Sequence, residues 1–370
     1  MQAIVLVGGE GTRLRPLTLT QPKPAVRLVD RPFIRFMLDW LERHGIDDVV
    51  MACGFRADAL REVLGESPTG NKPGLRYLEE PVPLGTAGPI RLAADEGILA
   101  DRFLVLNGDL LSDLDLTALI RAHSGQAVAT IATHPVEDPA SYGLVRRDGA
   151  GEVSEFLEKP DPAEIDTDEV NAGAYVLERS IVDLIPAGRT VSIEREVFPK
   201  LVGNGLFARR LEGYWMDVGT PERYLRATWD ILEGVVQTKV AERLDAAGLL
   251  VEDGAAVDAS AAVSPPALIE TGCEVAADAE IGARAVLGSG SGVGEAATVV
   301  ESVLDRDCRI GARAVVERAI LAAGVEVGPG ARIGSGAVIG EGATVASRAR
   351  VSEDGRVQPG ERVTSVSMDE

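Results

Sequence analysis

The sequence predicts an α/β protein in two parts: a Rossmann-like, mostly parallel sheet flanked by helices, then a left-handed hexapeptide β-helix. Three observations carry this. Residues 4–7 are an apolar run that ends in Gly8, Gly9 and Gly11, the composition of a buried parallel strand feeding a sharp turn. Up to about residue 235, short apolar runs alternate with amphipathic stretches, which implies helices packed on both faces of the sheet. Beyond it, aliphatic residues recur every six positions, a period that fits neither helix nor alternating strand but matches the hexapeptide β-helix.

In chain order, strand candidates at 49–53, 75–78, 103–106 and 128–133 interleave with helix candidates at 33–43, 57–64, 87–96 and 116–123. Turn-rich strands at 142–147, 152–157 and 171–177 suggest a smaller antiparallel extension. These fill a first domain, 1–235, and a linker follows at 236–250. The repeat occupies 251–370. Its anchors run Val251, Val257, Val263, Ile269, Val275, Ile281, Leu287, Val293 and Val299, then Leu304, Ile310, Val316 and Leu321. They resume at Val327 and continue through Ile333, Ile339, Val345, Val351 and Val357 to Val363, with only two steps of five. Small residues often follow the anchor, as in Ile281-Gly282 and Ile333-Gly334, and would turn the corners of roughly six stacked coils.

Composition narrows the function. With 370 residues, 45% hydrophobic and 26% charged, the chain is ordinary globular material for two domains. A net charge of −21 argues against nucleic acid as a partner, though not against a nucleotide held by a few local cations and backbone N–H groups. No apolar stretch is long enough for a membrane span, and the first strand starts at residue 2, which predicts a cytoplasmic protein without a signal peptide. Cys53, Cys273 and Cys308 lie far apart without metal-ligand spacing, so they read as plain thiols.

The glycine turn can be a tight connection or a phosphate cradle. It lacks the Gly-Lys-Ser/Thr of a Walker loop and the spacing of the dinucleotide fingerprint. Arg13 adds a forked cation suited to phosphate. Pro22-Lys23-Pro24 places Lys23 on what should be a stiff, extended segment. Asp109 follows a buried run in Asn107-Gly-Asp109, and Asp217 follows Tyr214-Trp-Met216, whose aromatics would anchor the segment; both carboxylates would emerge at strand ends. Asn-Gly-Asp alone is often only a turn, but two such aspartates can share a Mg²⁺, which prefers one or two carboxylates plus phosphate oxygens.

Together, Leu6-Val-Gly-Gly-Glu-Gly-Thr-Arg-Leu-Arg-Pro-Leu-Thr18 and Pro22-Lys-Pro-Ala-Val26 resemble the nucleoside-diphosphate-sugar pyrophosphorylases, the sugar-1-phosphate nucleotidyltransferases. The resemblance is closest to the mannose-1-phosphate guanylyltransferases and recurs along the whole chain. It implies that Leu6, Gly8, Gly9, Gly11 and Thr12 meet the nucleotide, with Glu80, Gly85 and Thr86 of the Glu-Glu-Pro-Val-Pro-Leu-Gly-Thr segment. By the same resemblance Lys159 of Phe156-Leu-Glu-Lys-Pro160 contacts the sugar phosphate, and Glu158 the sugar hydroxyls. The bland alternative for that pair is a solvated strand edge. Lys159 precedes Pro160, so it too should be extended. Tyr142, Gly143 and Asn171 match segments that surround the hexose. Asp109 and Asp217 match the family's metal motifs. Ser192-Ile-Glu-Arg-Glu-Val-Phe-Pro199 also matches, but Ser192 reads as well as a helix N-cap and receives no role.

The implied reaction is in-line attack of a sugar 1-phosphate oxygen on the α-phosphorus of a nucleoside triphosphate. Arg13 would hold the leaving pyrophosphate, Lys23 the transferred phosphoryl and Lys159 the nucleophile. Glu80 stands where relatives that use pyrimidine nucleotides carry glutamine. A carboxylate accepts from two donors, and guanine offers N1–H and the N2 amine where uracil and thymine offer one. GTP with mannose 1-phosphate is therefore expected, and UTP or dTTP with glucose 1-phosphate is the alternative. A non-catalytic sugar-nucleotide sensor is a third reading, but Arg13, Lys23, Asp109, Lys159 and Asp217 are all present. The β-helix holds none of the histidines (His44, His123, His134) that acyl transfer on such a scaffold needs. It is expected to be structural or regulatory, and relatives that this chain resembles oligomerise through it.

Overall fold

A computed structural model describes residues 1–54, 57–65 and 74–364 of the chain. The last six residues of the predicted 251–370 repeat lie outside that range. The chain packs as two compact units, Met1–Gly9 with Met37–Trp215, and Glu10–Phe36 with Met216–Glu370.

The first unit is built on one nine-stranded sheet. Strand β1 (Gln2–Leu6) lies between β2 (Asp48–Cys53) and β4 (Arg102–Asn107), parallel to both, with Ile4 opposite Val50 and Val105. β3 (Gly74–Glu79) extends the parallel part beyond β2. Ala3, Ile4 and Val5 are fully buried, which is why this strand reads as a continuous apolar run and not an alternating one. Helices α1 (Phe33–Arg43), α2 (Ala57–Leu64), α3 (Gly88–Asp95) and α4 (Leu116–Ala122) fall where the amphipathic pattern puts them.

The predicted antiparallel extension is continuous with the main sheet. β5 (Ala129–Pro135), β6 (Gly143–Arg147) and β7 (Val153–Glu158) reach it through the ten-residue β8 (Glu169–Glu178), which pairs antiparallel with β4, β5 and β6. β9 (Leu206–Arg210) runs parallel to β5 at the far side. β8 carries a bulge: Asn171 faces Thr133 while Tyr175 faces Ile131, so four residues advance against two.

In the second unit the repeat forms a left-handed β-helix of three parallel sheets, two of seven strands and one of six. Its anchors make a single core from Ile269 to Val357 that also takes in Cys273 and Cys308. Val251 is a correction to the expected series of inward anchors: it is 42% exposed, because it sits on the first coil with nothing stacked below. Val257, Val263 and Val363, nearest the two ends, are only partly buried. The anchor-glycine pairs have a direct cause. A Cβ on Gly288, Gly294, Gly311, Gly328, Gly334 or Gly340 would lie 2.5–2.8 Å from the backbone of the next coil. Each coil's corner takes a left-handed residue, glycine or not, and its N–H bonds the coil below, as Asp307 does to Ser289 and Arg348 to Pro329. The two short steps fall at corners, Ala296 to Glu301 and Arg313 to Arg318, so the strand registers continue unbroken.

Helix α5 (Pro221–Leu232) packs in this second unit. Thr220 caps it by accepting from Arg223 N at 3.3 Å, and Pro221 begins it. The guanidinium carbons of Arg284 (5.3 Å) and Arg318 (5.2 Å) both lie over its Trp229 ring. All three cysteines are buried free thiols. Among the described residues no helix is long and apolar enough to cross a membrane.

Candidate active site

In the first unit, Leu6, Gly8, Glu80 and Asp109 lie at the carboxyl ends of the parallel strands β1, β3 and β4, where open α/β sheets bind ligands. Leu6 ends β1, half-buried, and Gly8 follows with its Cα against the Glu80 carboxylate; a Cβ there would lie 2.9 Å from Glu80 Oε1. Gly9 is exposed, and a side chain there would meet nothing within 4 Å. Glu80 separates from Glu79 in this geometry. Glu79 is exposed and paired with Arg61, whereas Glu80 is half-buried and accepts from Leu84 N at 2.8 Å. Burial pushes the Glu80 carboxyl above its ordinary range, and the Leu84 N–H opposes that in part.

Asp109 is half-buried in the turn after β4. The turn is fixed by Gly108, whose N–H bonds Leu6 O at 2.9 Å and whose missing Cβ would sit 2.6 Å from the same oxygen. Gly85 and Thr86 are held to another loop. A Cβ on Gly85 would be 2.5 Å from Val191 O, and the Thr86 hydroxyl donates to Glu194 (2.7 Å) while accepting from Ile193 N (2.9 Å).

The residues matched to the hexose sit on β6, β7 and β8. Gly143 pairs with Glu158 across the strands, and a Cβ on it would be 2.8 Å from Glu158 Oε2. The Tyr142 ring packs edge-on against Trp215 at 5.2 Å. Asn171 stands at the β8 bulge, where its Nδ2 donates to the Tyr175 hydroxyl (2.8 Å) and its Oδ1 accepts from Gly173 N (3.0 Å). The Glu158 carboxyl is raised by burial first and by neighbouring Glu194 second, with Lys159 and Arg195 opposing.

Lys159 is a correction. The extended backbone expected before Pro160 is absent; Lys159 has φ +53°, in the left-handed region. That conformation also escapes the proline clash that bars the right-handed helix, and it lets Lys159 N bond Tyr142 O at 3.2 Å. A non-glycine residue held this way is strained, and such strain concentrates at functional sites.

In the second unit, Gly11 is left-handed (φ +62°) and packed so closely that a Cβ would lie 2.9 Å from Thr18 and 3.0 Å from Lys23. Thr12, Arg13 and Leu14 form one 3-10 turn, with Thr12 and Arg13 exposed. Lys23 is the second correction: it begins a 3-10 turn, Lys23–Ala25, instead of lying extended. Ala25 N bonds Pro22 O (2.9 Å) and Val26 N bonds Lys23 O (3.1 Å), and those two bonds outweigh the bias imposed by Pro24. Arg13 and Asp217 both border the space over Gly219, where a Cβ would lie 2.8 Å from Arg13 Nη2 and 3.4 Å from Asp217 Oδ2. Asp217 is ion-paired with Arg223, from the first turn of α5. Gly219→Ala should therefore leave the fold intact, since only a flexible side-chain end must move, yet displace Arg13. On the pyrophosphate-holding role expected of Arg13, pyrophosphate release should fall about 10- to 100-fold with little change in melting temperature, as misplacing a positioning group does.

Sequence reasoning missed three residues. Glu194 accepts from Thr86 and from Ser192 Oγ (both 2.7 Å) and from the Tyr175 hydroxyl, so it ties the Gly85–Thr86 loop to the Asn171 bulge. The Ser192-Ile-Glu motif was its only signal. Ser192 does cap its helical turn, accepting from Arg195 N at 3.2 Å. Tyr175 is fully buried and its hydroxyl is raised well above the ordinary range by that burial and by Glu194. Arg223 lies near a predicted residue and carried no pattern of its own, whereas Trp215, one of the aromatics expected to anchor the Asp217 segment, donates Nε1 to Ala172 O at 2.8 Å.

Among the described residues no group of three or more His, Cys, Asp or Glu side chains is placed to hold a metal ion. Asp109 and Asp217 are each hard oxygen donors, the ligand type taken by a hard divalent ion whose remaining ligands are phosphate oxygens.

The nucleotidyl transferase family matches residues 2–234, and the GMPPB C-terminal domain matches residues 250–369. Mannose-1-phosphate guanylyltransferase of Mycobacterium tuberculosis is 40% identical over 264 residues, covering 70% of this chain and 71% of that one. Mannose-1-phosphate guanyltransferase of Yarrowia lipolytica is 41% identical over 232 residues, 62% of this chain and 63% of that one, so the match spans less than two thirds of the yeast protein. The crystal structure of HddC from Yersinia pseudotuberculosis complexed with GMP-PN is similar at 30% identity and a TM-score of 0.53, covering 61% of this chain and 97% of that one.

Proposed function

Because the chain belongs to the nucleotidyl transferase family, we propose that it transfers GMP from GTP to mannose 1-phosphate, giving GDP-mannose and pyrophosphate. The observation that carries the choice of base is Glu80, the half-buried carboxylate beside Gly8 at the end of the first strand. Relatives about 40% identical are named for mannose 1-phosphate and guanylyl transfer, and HddC from Yersinia pseudotuberculosis is complexed with GMP-PN.

In this reading Glu80 accepts from guanine N1–H and the N2 amine. Gly8, Gly9, Gly11 and Thr12 carry the backbone past the phosphates. Arg13 holds the pyrophosphate, Lys23 neutralises the transferred phosphoryl, and Lys159 steadies the sugar phosphate. Asn171, Glu158, Tyr142 and the Gly143 backbone take the hexose. Family members act with a divalent metal; Asp109 and Asp217 are the carboxylates proposed to hold it, with Mg²⁺ as the ion. Such an ion supplies charge neutralisation on the phosphate oxygens. No covalent intermediate with the protein is needed, because positioning and charge stabilisation suffice for in-line phosphoryl transfer. Self-association through the flat flank of the β-helix and a cytoplasmic location are proposed with it.

The test is pyrophosphate release by the purified chain with Mg²⁺, crossing GTP, UTP, dTTP and ATP with mannose 1-phosphate and glucose 1-phosphate. Strong preference for GTP with mannose 1-phosphate is expected. Preference for a pyrimidine nucleotide with glucose 1-phosphate would overturn the role of Glu80 and leave the mechanism. Silence with every pair, alongside tight binding of a sugar nucleotide, would overturn the catalytic reading.

A further inference from the structure

Four residues past Lys23, Arg27 opens a short hairpin whose strands are Arg27–Leu28 and Arg31–Pro32. Its side chain is largely buried. Nη2 donates to Glu270, Nε donates to Val29 O at 3.2 Å and lies 3.7 Å from Asp305, and the three side chains are 19%, 6% and 15% exposed. Glu270 and Asp305 occupy the same corner of the β-helix two coils apart: Glu270 N bonds Leu287 O, and Asp305 N bonds Leu321 O. The coil between them presents Gly288 at that corner, so no side chain fills the gap between the two acids. The acids are themselves fixed. Glu270 Oε2 accepts from Ser289 N at 2.6 Å, and Asp305 Oδ1 accepts from Arg306 N at 2.7 Å. Glu252, one coil earlier at the same corner, makes a second grip through Arg243, which also pairs with Asp30 of the hairpin turn at 2.6 Å.

The hairpin connects directly to phosphate-handling residues. Val26 N bonds Lys23 O at 3.1 Å, and Phe33 N bonds Val26 O at 2.8 Å. The Tyr224 hydroxyl donates to Arg27 O, and Tyr224 shares a small void with Leu14, Lys23, Val26, Phe33 and Val218. Val218 lies between Asp217 and Gly219. Burying two carboxylates against one guanidinium is an expensive way to gain stability, because desolvation consumes most of the attraction; an apolar plug would hold the hairpin as well. A forked cation that donates to a fixed carboxylate through Nη2 and to its own hairpin turn through Nε, with a second fixed carboxylate alongside, instead specifies position.

We propose that Arg27, seated between Glu270 and Asp305, is a positioning residue through which the β-helix holds Lys23 and the Asp217–Gly219 turn in place. The repeat is then part of the phosphate-handling machinery and not a detachable assembly module. This rests on the roles given above to Lys23 and Asp217.

The test compares Arg27→Gln, Glu270→Gln and the double variant with the parent chain, with Glu326→Gln on an exposed β-helix strand as control. We expect each single variant to lose about tenfold in kcat with KM for the nucleotide within about twofold, and the double variant to lose no more than either single one. Arg27→Lys should not restore turnover, because an ammonium lacks the fork. Lys23 is read separately by its reaction rate with an amine-reactive ester, followed by mass spectrometry, and that rate should change in the same variants. Unchanged kcat and unchanged Lys23 labelling in folded variants would overturn the proposal, as would additive losses in the double variant. If the parent chain shows no turnover, the catalytic reading fails, and the labelling rate still decides whether Arg27 positions Lys23.

Discussion

Asp109→Asn and Asp217→Asn should each lower turnover at least about 100-fold, the several kcal/mol expected when a catalytic divalent ion loses a carboxylate. Asparagine keeps the shape of the side chain, so the fold should survive. Asp109 stands in a turn whose geometry is set by Gly108, and Asp217 in a turn closed by Gly219 N on its own backbone oxygen at 3.0 Å. Removing the Asp217 charge also takes from the Arg223 guanidinium the carboxylate it pairs with, so that variant should lose thermal stability as well, by about 1 kcal/mol or less for a half-buried pair. The decisive measurement is turnover against metal concentration, with Mn²⁺ binding by the nucleotide-loaded protein as a readout independent of chemistry. Near-normal turnover in both variants would sink the metal assignment.

Glu80→Gln should raise KM for GTP about 10- to 100-fold, the ~1–3 kcal/mol that accompanies loss of hydrogen bonds to a charged acceptor. The amide oxygen can still accept from Leu84 N, so the loop should stay in place. The amide nitrogen then faces guanine's donors with another donor, while it can serve the mixed donor and acceptor edge of a pyrimidine. Relative activity with UTP should therefore rise. The parent enzyme should also show a pH signature. Only the ionised carboxylate accepts from both guanine donors, and burial raises the pH at which Glu80 ionises. KM for GTP should accordingly be lowest above that raised value and climb as pH falls through it, starting from above the ordinary carboxylate range. The glutamine variant should show no such climb. An unaltered KM, or the same pH profile in both proteins, would assign the base to another residue.

Features that a single stretch of chain determines were legible in the sequence. The six-residue spacing needed no long-range information, because each coil stacks on a copy of itself. The buried first strand and its glycine turn likewise announced themselves. Local rules failed where two of them competed. Lys23 and Lys159 each precede proline, yet backbone hydrogen bonds to Val26 and Tyr142 decide their conformations. Partners distant in the chain were illegible for a different reason. Nothing in the spacing of Arg27 and Glu270, or of Thr86 and Glu194, marks them as a pair, and only folding brings them together. Arg223 was hidden in another way: on an amphipathic helix it reads as one more solvated charge.

The corner bonds of the β-helix also bear on how such a chain can change length. Left-handed corner residues from Arg284 onward donate to a carbonyl one full coil earlier, Asp278 donates to the Ser260 hydroxyl instead, and each sheet joins residues one coil apart. An insertion within a face would put every later anchor out of phase with the core. The five-residue steps from Ala296 to Glu301 and from Arg313 to Arg318 show where a single deletion is absorbed, at a corner, with the strand pairs on either side preserved. Descendants of this repeat should therefore lengthen by duplicating whole coils, shorten singly only at corners, and tolerate almost no length change in between.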